Sequence, residues 1–342
     1  MPSLARQAVL MPLWLAQVFT QEKFFARNPI IGNRWLNEHG LHTARVIAAC
    51  RLAEWRRRRL AHLIPAEDRR QFDRDGFIVK RDFLPSEAFA GLVAQVRALR
   101  APAREMEEGD TITRHIALDP AVLGNVPAAR QLLDDPRFCH LVSYAGSSAA
   151  APMVYIQTIL SHAVAGLPDP QLDLHTDTFH PTVKAWLFLS DVAPDAMPFV
   201  YVPGSHRLTP ARLDWERRMS VEASRPRPQH RLVRAISLEA LGELGLPPPR
   251  AIAAPANTLV VADTFGFHAR GASARPTRRV EIWAFGRRNP FLPWTGLDPW
   301  SLAGFGLSKP GLYWKSVDLL ERFGLGHQRW RRRGLRSAFD PA

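Results

Sequence analysis

The second half of the chain alternates short apolar runs with clusters of glycine, proline and aspartate. From Met153 onward these runs are rich in β-branched and aromatic residues, a pattern typical of β-strands bounded by turns. The predicted strands cover residues 154–160, 183–189, 199–202, 259–262 and 280–285. Strand and helix patterns do not alternate regularly between them, so the sequence predicts an antiparallel sandwich or jelly roll rather than a doubly wound parallel sheet.

The first half of the chain carries longer patterns that predict helices. The expected elements are a helical region over residues 4–66, a strand at 77–79, helices at 86–99 and 132–144, and an acidic loop at 105–110. The fold class expected from the whole pattern is therefore α+β, with a mostly β core and added helices.

The composition is that of a globular protein, with 46% hydrophobic and 23% charged residues over 342 positions. We expect an N-terminal helical annex (residues 1–70), a β domain (71–290) and a C-terminal aromatic and basic extension (291–342) that ends in a basic helix. Proline-rich stretches at 225–229 and 247–249 bracket a predicted insertion between two strands of the β domain.

Cysteine usage and the start of the chain predict a cytoplasmic location. Cys50 and Cys139 are too few for a disulfide framework or a cysteine zinc site. The apolar run at residues 8–16 contains Pro12, lacks a following small-residue cleavage site, and is shorter than the roughly 20 residues that span a bilayer. We therefore expect neither export nor a transmembrane helix.

Basic residues exceed acidic ones by 45 to 32, which gives a formal net charge of +13. Much of this excess lies in clusters at residues 56–59 and 329–336. Such clusters bind acidic substrates, anionic lipids or nucleic acid, or they form a solvated helix face. No zinc finger or helix-turn-helix accompanies them, so we expect no specific nucleic-acid binding. The apolar residues that precede the first cluster make peripheral association with an anionic membrane one interpretation and a plain packing helix the other.

Two candidate metal ligands, His175 and Asp177, are separated by a single residue. On a strand, residues i and i+2 face the same side, so both side chains can point into the mouth of a barrel. Two imidazoles and one carboxylate suit an iron(II) centre that keeps positions open for a cosubstrate and dioxygen. His268, just after the predicted strand at 259–262, is the candidate third ligand.

An arginine follows His268 at the start of the next apolar run. Arg279 carries a guanidinium that can hold a carboxylate in a bidentate manner, as anchoring the distal end of 2-oxoglutarate requires. Arg278 is the alternative to it. Lys184, which alternates with apolar residues on a predicted strand, faces either the cavity or solvent.

In order and spacing these motifs resemble the phytanoyl-CoA dioxygenase family. The resemblance covers roughly residues 71–289 and rests on His175-Thr176-Asp177, Val202-Pro203-Gly204-Ser205-His206, His268 and Arg279. It implies a double-stranded β-helix (a cupin-like jelly roll), iron(II), 2-oxoglutarate as cosubstrate, dioxygen, and usually hydroxylation of an unactivated carbon.

Carried over to this sequence, the resemblance implies that His175, Asp177 and His268 bind iron and that Arg279 binds the distal carboxylate of 2-oxoglutarate. Gln157 resembles a cosubstrate-binding glutamine of related enzymes. Related halogenases replace the metal-binding carboxylate with a small residue, so the retained Asp177 favours hydroxylation or desaturation.

Other functions use the same three side chains. A zinc-dependent hydrolase or a non-catalytic binding module on the same fold are the alternatives, although a hydrolase has no need for a carboxylate clamp such as Arg279. We expect a small-molecule or lipid-like substrate, and the basic surroundings favour an anionic one.

Overall fold

The computed structural model describes residues 4–224, 234–296 and 305–342. Within these ranges the α-helices are α1 (Leu4–Val18), α2 (Arg34–Glu38), α3 (Leu41–Leu60), α4 (Ala66–Asp75), α5 (Ser86–Ala98), α6 (Pro120–Leu123), α7 (Pro127–Asp134), α8 (Pro136–Ala145), α9 (Pro210–Ala223), α10 (Leu238–Glu243) and α11 (Lys309–Arg322). The strands are β1 (Phe77–Lys80), β2 (Ala101–Glu108), β3 (Thr111–Ala117), β4 (Met153–Leu160), β5 (Val183–Phe188), β6 (Phe199–Tyr201), β7 (Arg250–Ile252), β8 (Leu259–Asp263), β9 (His268–Arg270), β10 (Arg278–Gly286) and β11 (Arg331–Arg336).

Two antiparallel sheets form the core. The larger has eight strands in the order β1-β8-β5-β10-β4-β3-β2-β11, and the smaller has three in the order β7-β6-β9. All recorded strand pairs are antiparallel. From β5 to β10 the chain passes repeatedly between the two sheets, with β5, β8 and β10 in the larger sheet and β6, β7 and β9 in the smaller one, as in a double-stranded β-helix. The predicted fold class and its five strands in the second half are confirmed.

The two faces of the large sheet have different partners. One face packs against α4, α5, α7 and α8 through a broad apolar cluster that includes Ile116, Val280 and Ile282. The other faces the small sheet, where Trp186 and Phe199 pack within a second cluster. Side chains alternate between the two faces of a strand, so Arg279 and Glu281, which flank Val280 on β10, point between the two sheets.

The helix expected at 132–144 is two helices. Pro136 cannot continue α7, and the Asp135 side chain accepts a hydrogen bond from the Arg137 amide at the start of α8. The acidic stretch expected to be a loop is largely β2, whose Glu105 pairs with Arg114 and Arg333. The sequence prediction was wrong here because cross-strand arginines neutralise these carboxylates.

The C-terminal extension adds a strand to the large sheet. The basic helix expected at its end is wrong, since the arginine-rich run forms β11, which pairs with β2. Its arginines contact acidic partners, with Arg332 bonded to Asp318 and Arg333 to Glu107. The expected domain boundaries at residues 70 and 290 stay a prediction.

The first basic cluster, at residues 56–59, joins the annex to the core. Arg56 is buried and donates to the carbonyls of Ser147, Pro290 and Leu292. Arg57 pairs with buried Asp263 at 2.6 Å. Two of the four arginines in this cluster, Arg56 and Arg57, therefore hold chain segments together instead of forming a solvated helix face.

The predicted insertion between two strands is partly described by the structure. The chain between β6 and β7 holds α9 and α10, of which only α10 lies between the two proline-rich stretches that bracket the predicted insertion. Residues 225–229 lie outside the described residues. Among the described residues, none of the helices has the length and apolar character required to cross a membrane.

Candidate metal centre

Backbone pairing brings the two candidate histidine ligands together. The His175 amide donates to the His268 carbonyl at 2.9 Å, and the His268 amide donates to the His175 carbonyl at the same distance. His268 begins β9, whereas His175 forms isolated bridges, so the strand expected at residues 175–177 is reduced to a single bridged residue. The pairing nevertheless sets the two rings 4.7 Å apart, centroid to centroid.

Asp177 completes a three-residue cluster. Ligand atoms of His175, Asp177 and His268 all lie within 4.8 Å of one another. His268 Nε2 is 3.7 Å from Asp177 Oδ2 and is buried without a hydrogen-bond partner. A buried nitrogen with no partner normally costs stability, so its place beside a carboxylate and a second imidazole is the arrangement of a metal site.

Backbone carbonyls fix the orientation of both imidazoles. His175 Nδ1 lies 2.7 Å from the Asp173 carbonyl oxygen, and His268 Nδ1 lies 3.0 Å from that of Gly266. Because a carbonyl only accepts, each Nδ1 carries the proton and each Nε2 is left as a lone-pair donor.

The ionisation states of the cluster suit a divalent cation. Burial lowers the pKa of His268 to about 3 and also lowers the pKa of His175. Burial opposes the charge on Asp177, but the positive charge of Lys184, with a further contribution from Lys23, holds the pKa of that carboxyl well below its usual range. Two neutral imidazoles and a carboxylate are the forms that bind a metal.

Two lysines contact Asp177. Lys184 Nζ lies 2.8 Å from Asp177 Oδ2 and 3.1 Å from Oδ1, so of the two positions left open by the sequence, Lys184 takes the one that faces the site. Lys23, from the N-terminal annex, donates to the Asp177 carbonyl at 2.6 Å. Burial lowers the pKa of Lys23 to about 8, helped by the charge of Arg287.

A buried ionic cluster supports the segment that carries the ligands. Arg234 Nε donates to Thr176 Oγ1 at 2.7 Å, and Arg234 Nη2 donates to both carboxylate oxygens of Glu216, at 2.6 and 2.8 Å. Glu216 also accepts from Arg212 and contacts His42. Thr176, between the two ligands, is thus tied to α9.

Arg279 lies between the sheets and already has a carboxylate partner. Its Nε is 2.9 Å from Glu281 Oε2, and its Nη1 donates to the Met197 carbonyl. Both side chains are at most 5% exposed. The alternative, Arg278, is exposed and donates to the Phe339 carbonyl at the rim of the sheet, so of the two arginines only Arg279 faces the interior.

Gln157 belongs to the same buried polar group. Its Nε2 donates to Glu281 Oε1 at 2.5 Å, and its Oε1 lies 2.7 Å from His115 Nε2. His115 is stacked among Tyr155, Trp283 and Trp330, with ring centroids 4.2 to 5.1 Å away. Gln157 and Arg279 therefore share a partner, because Glu281 contacts both side chains.

Residues 72–235 of the chain match the model of the phytanoyl-CoA dioxygenase (PhyH) family. The matched segment begins in α4 and contains His175 and Asp177, and the geometry described above adds His268 from outside it. The resemblance to the phytanoyl-CoA dioxygenase family that the sequence predicted is confirmed over this segment. Among curated proteins, none is significantly similar to this chain in sequence.

Several solved structures are distantly similar. The epimerase SnoN, in complex with Fe3+, alpha ketoglutarate and a nogalamycin compound, is 19% identical, with a TM-score of 0.42 over 66% of this chain and 83% of its own. HygX from Streptomyces hygroscopicus, with nickel and 2-oxoglutarate, is 17% identical, with a TM-score of 0.40 over 65% and 86%. AviO1 from Streptomyces viridochromogenes Tue57 is 19% identical, with a TM-score of 0.40 over 65% and 94%. Similarity this distant does not identify a substrate or a reaction for this chain.

The donor set fits the iron that the family implies. The orphaned Nε2 of His268, the carbonyl-anchored Nδ1 atoms and the ionised Asp177 provide three ligands on one side of a shared centre. For 2-oxoglutarate the residue type and burial of Arg279 fit, with the difference that Glu281 already pairs with it.

Sequence reasoning missed two residues of this site. Glu281 was detectable, since it is two residues from Arg279 on a predicted strand and must share its face. Lys23 was not, because no local pattern connects a loop near the start of the chain with Asp177.

Proposed function

We propose that this chain is a member of the phytanoyl-CoA dioxygenase family and acts as an iron(II)- and 2-oxoglutarate-dependent oxygenase. His175, Asp177 and His268 would hold the iron. The observation that carries the proposal is the buried, unpartnered Nε2 of His268 beside Asp177 and the ring of His175.

When bound, iron and 2-oxoglutarate would supply the oxidising chemistry, in which dioxygen is activated as the 2-oxo acid is decarboxylated to succinate. The protein positions the participants. The carbonyls of Asp173 and Gly266 keep both imidazoles turned toward the metal, and Thr176, held by Arg234, keeps the intervening backbone in place.

Arg279 would bind the distal carboxylate of 2-oxoglutarate, with Gln157 beside it. The support is the burial of the guanidinium between the two sheets and the link from Gln157 through Glu281. Trp186 and Phe199, packed 4.3 Å apart, line the same interior and exclude water from it.

We propose hydroxylation of an unactivated carbon as the reaction and a small molecule as the substrate. The retained carboxylate of Asp177 supports hydroxylation or desaturation over halogenation, because it occupies the coordination position that a halide would need.

The test measures succinate formation from 2-oxoglutarate by purified protein with iron(II) and oxygen. Slow turnover without substrate is expected in the wild type and is expected to be lost in Asp177→Ala and His268→Ala. Glu239→Ala removes an exposed carboxylate from α10 and is the matched control. Turnover that persists in both ligand variants would contradict the proposed centre. No succinate formation by the wild type with iron(II), together with zinc binding that is lost in Asp177→Ala and His268→Ala, would favour the hydrolase.

Peripheral association with an anionic membrane remains a separate proposal. Its support is the exposed apolar side chains at the N-terminus, among them Val9, Leu13 and Phe19. Co-sedimentation with anionic vesicles at low salt, compared between the wild type and Leu13→Glu, tests it. Equal sedimentation of the two proteins would contradict it.

A further inference from the structure

The N-terminal annex places a cation at the candidate metal centre. Lys23 Nζ lies 2.6 Å from the Asp177 carbonyl oxygen, although the two residues are 154 positions apart in sequence. Lys23 precedes the 3-10 turn Phe25–Arg27 and lies outside the segment that matches the family model. The annex is therefore in contact with the site.

The loop that carries Lys23 is held in a defined position. Buried Arg45, on α3, donates to the carbonyls of Val18, Thr20 and Glu22, at 2.8, 3.1 and 2.8 Å. Three bonds from one rigid guanidinium fix the backbone on the N-terminal side of Lys23. The same guanidinium lies 4.2 Å from the ring centroid of Phe179, two residues after Asp177. Arg45 thus contacts both the Lys23 loop and the metal segment.

Lys23 is one of several cations around Asp177. Lys184 pairs with the Asp177 carboxylate, and the charges of Arg287 and Lys184 both act on Lys23. In the parts of the chain that the structure describes, the recorded polar contact of Lys23 is with a carbonyl oxygen, that of Asp177, and not with a carboxylate. A metal bound to Asp177 would share this carboxylate with Lys184. The positive charges of Lys184 and Lys23 would then be only partly neutralised beside the metal.

We infer that Lys23, with Lys184, forms an anion-binding subsite beside the metal, and that the substrate carries a carboxylate or phosphate close to the carbon that reacts. The inference rests on the proposed function and names the substrate class of that site. The two carboxylates of 2-oxoglutarate already have partners in the metal and Arg279, so these cations serve a third anion.

The experiment uses the full-length protein, loaded anaerobically with iron(II) and 2-oxoglutarate. Methyl phosphate and hexanoate are titrated separately by calorimetry, while the visible absorption of the iron–2-oxoglutarate complex is followed to verify that the probe leaves the metal ligands in place. We compare the wild type with Lys23→Gln, which can still donate a hydrogen bond but is neutral, and with Lys23→Arg, which keeps the charge. Arg34→Ala removes an exposed annex cation bonded to Glu38 and is the control.

The expected result is binding of at least one probe to the wild type, roughly tenfold weaker binding to Lys23→Gln, equivalent to about 1.4 kcal/mol, and near-normal binding to Lys23→Arg and Arg34→Ala. Which probe binds distinguishes a carboxylate from a phosphate. Equal affinity in Lys23→Gln, no probe binding to the wild type, or a loss of 2-oxoglutarate affinity in Lys23→Gln would each overturn the inference. In these three outcomes the absorption band of the wild type persists, whereas its absence would mean that the proposed function itself has failed.

Discussion

Arg279 and Glu281 form an ion pair between the two sheets, with Nε 2.9 Å from Oε2 and both side chains on the same face of β10. Glu281 is fully buried and also accepts a hydrogen bond from Gln157. The guanidinium proposed to bind 2-oxoglutarate is therefore neutralised by the protein itself. A cosubstrate carboxylate has to share or replace this partner, and that requirement lowers its affinity.

Removing the charge of Glu281 tests this relationship. In Glu281→Gln the side-chain shape is kept but Arg279 loses its anionic partner, so we expect 2-oxoglutarate to bind roughly tenfold more tightly, which corresponds to about 1.4 kcal/mol. Anaerobic titration of the iron-loaded protein measures the dissociation constant. Glu87→Gln, at an exposed carboxylate on α5, is the control. Weaker binding in Glu281→Gln would mean that Glu281 instead orients the guanidinium for the cosubstrate.

The turn before His268 allows no side chain at Gly266. A Cβ there would lie 1.9 Å from Tyr201 Oη, and the Gly266 carbonyl is the acceptor for His268 Nδ1. We expect Gly266→Ala to lower the free energy of unfolding by about 1–3 kcal/mol and metal affinity by about tenfold or more. Gly242→Ala, where a Cβ meets no atom within 4 Å, should change neither property in this direction. Normal metal affinity in Gly266→Ala would show that the carbonyl does not orient the ligand.

Glu216 is surrounded by buried cations and supports the segment of the two ligands. Without it, Arg212 and Arg234 keep their charges in the interior without a carboxylate, so we expect Glu216→Ala to lower the free energy of unfolding by about 3–5 kcal/mol. Glu243→Ala breaks an exposed pair with Arg218 and should cost about 1 kcal/mol or less. Denaturant unfolding measures both, and equal effects would contradict the account.

Acid should destabilise the protein through histidines that stay neutral when folded. Burial lowers the pKa of His206 to about 3, helped by the charges of Arg57, Arg207 and Arg212. Between about pH 6.5, the usual value, and pH 3, the unfolded chain binds a proton that the folded chain does not, so stability falls as pH falls, by up to about 1.4 kcal/mol per pH unit. The pH dependence of unfolding should be shallower in His206→Gln than in the wild type, with His39→Gln as the surface control. An unchanged slope in His206→Gln would be inconsistent with a neutral buried His206.

The main strands of the β core were predictable because side chains alternate between the two faces of a strand. A short run rich in apolar residues therefore indicates a strand with a buried face. The position of His268, the candidate third ligand, was predictable from the apolar run before it, which becomes β8. The single bridged residue at His175 was not, because its backbone pairs with chain segments distant in sequence rather than with a regular neighbouring strand.

Long-range electrostatics account for most of what the sequence did not reveal. The arginines of β11 resemble a solvated basic helix until their carboxylate partners on β2 are known. Arg56 resembles a surface charge, yet it is buried against carbonyls contributed by two distant segments. Lys23 reaches Asp177 only because Arg45 holds its loop.

The most direct test of the central claim is anaerobic titration of the protein with iron(II) and 2-oxoglutarate, followed by visible absorption. The account predicts a weak charge-transfer band in the wild type, loss of the band in His175→Ala, and a band that needs much more 2-oxoglutarate in Arg279→Ala. Absence of the band in the wild type, or its persistence in His175→Ala, would contradict an iron–2-oxoglutarate centre at His175, Asp177 and His268.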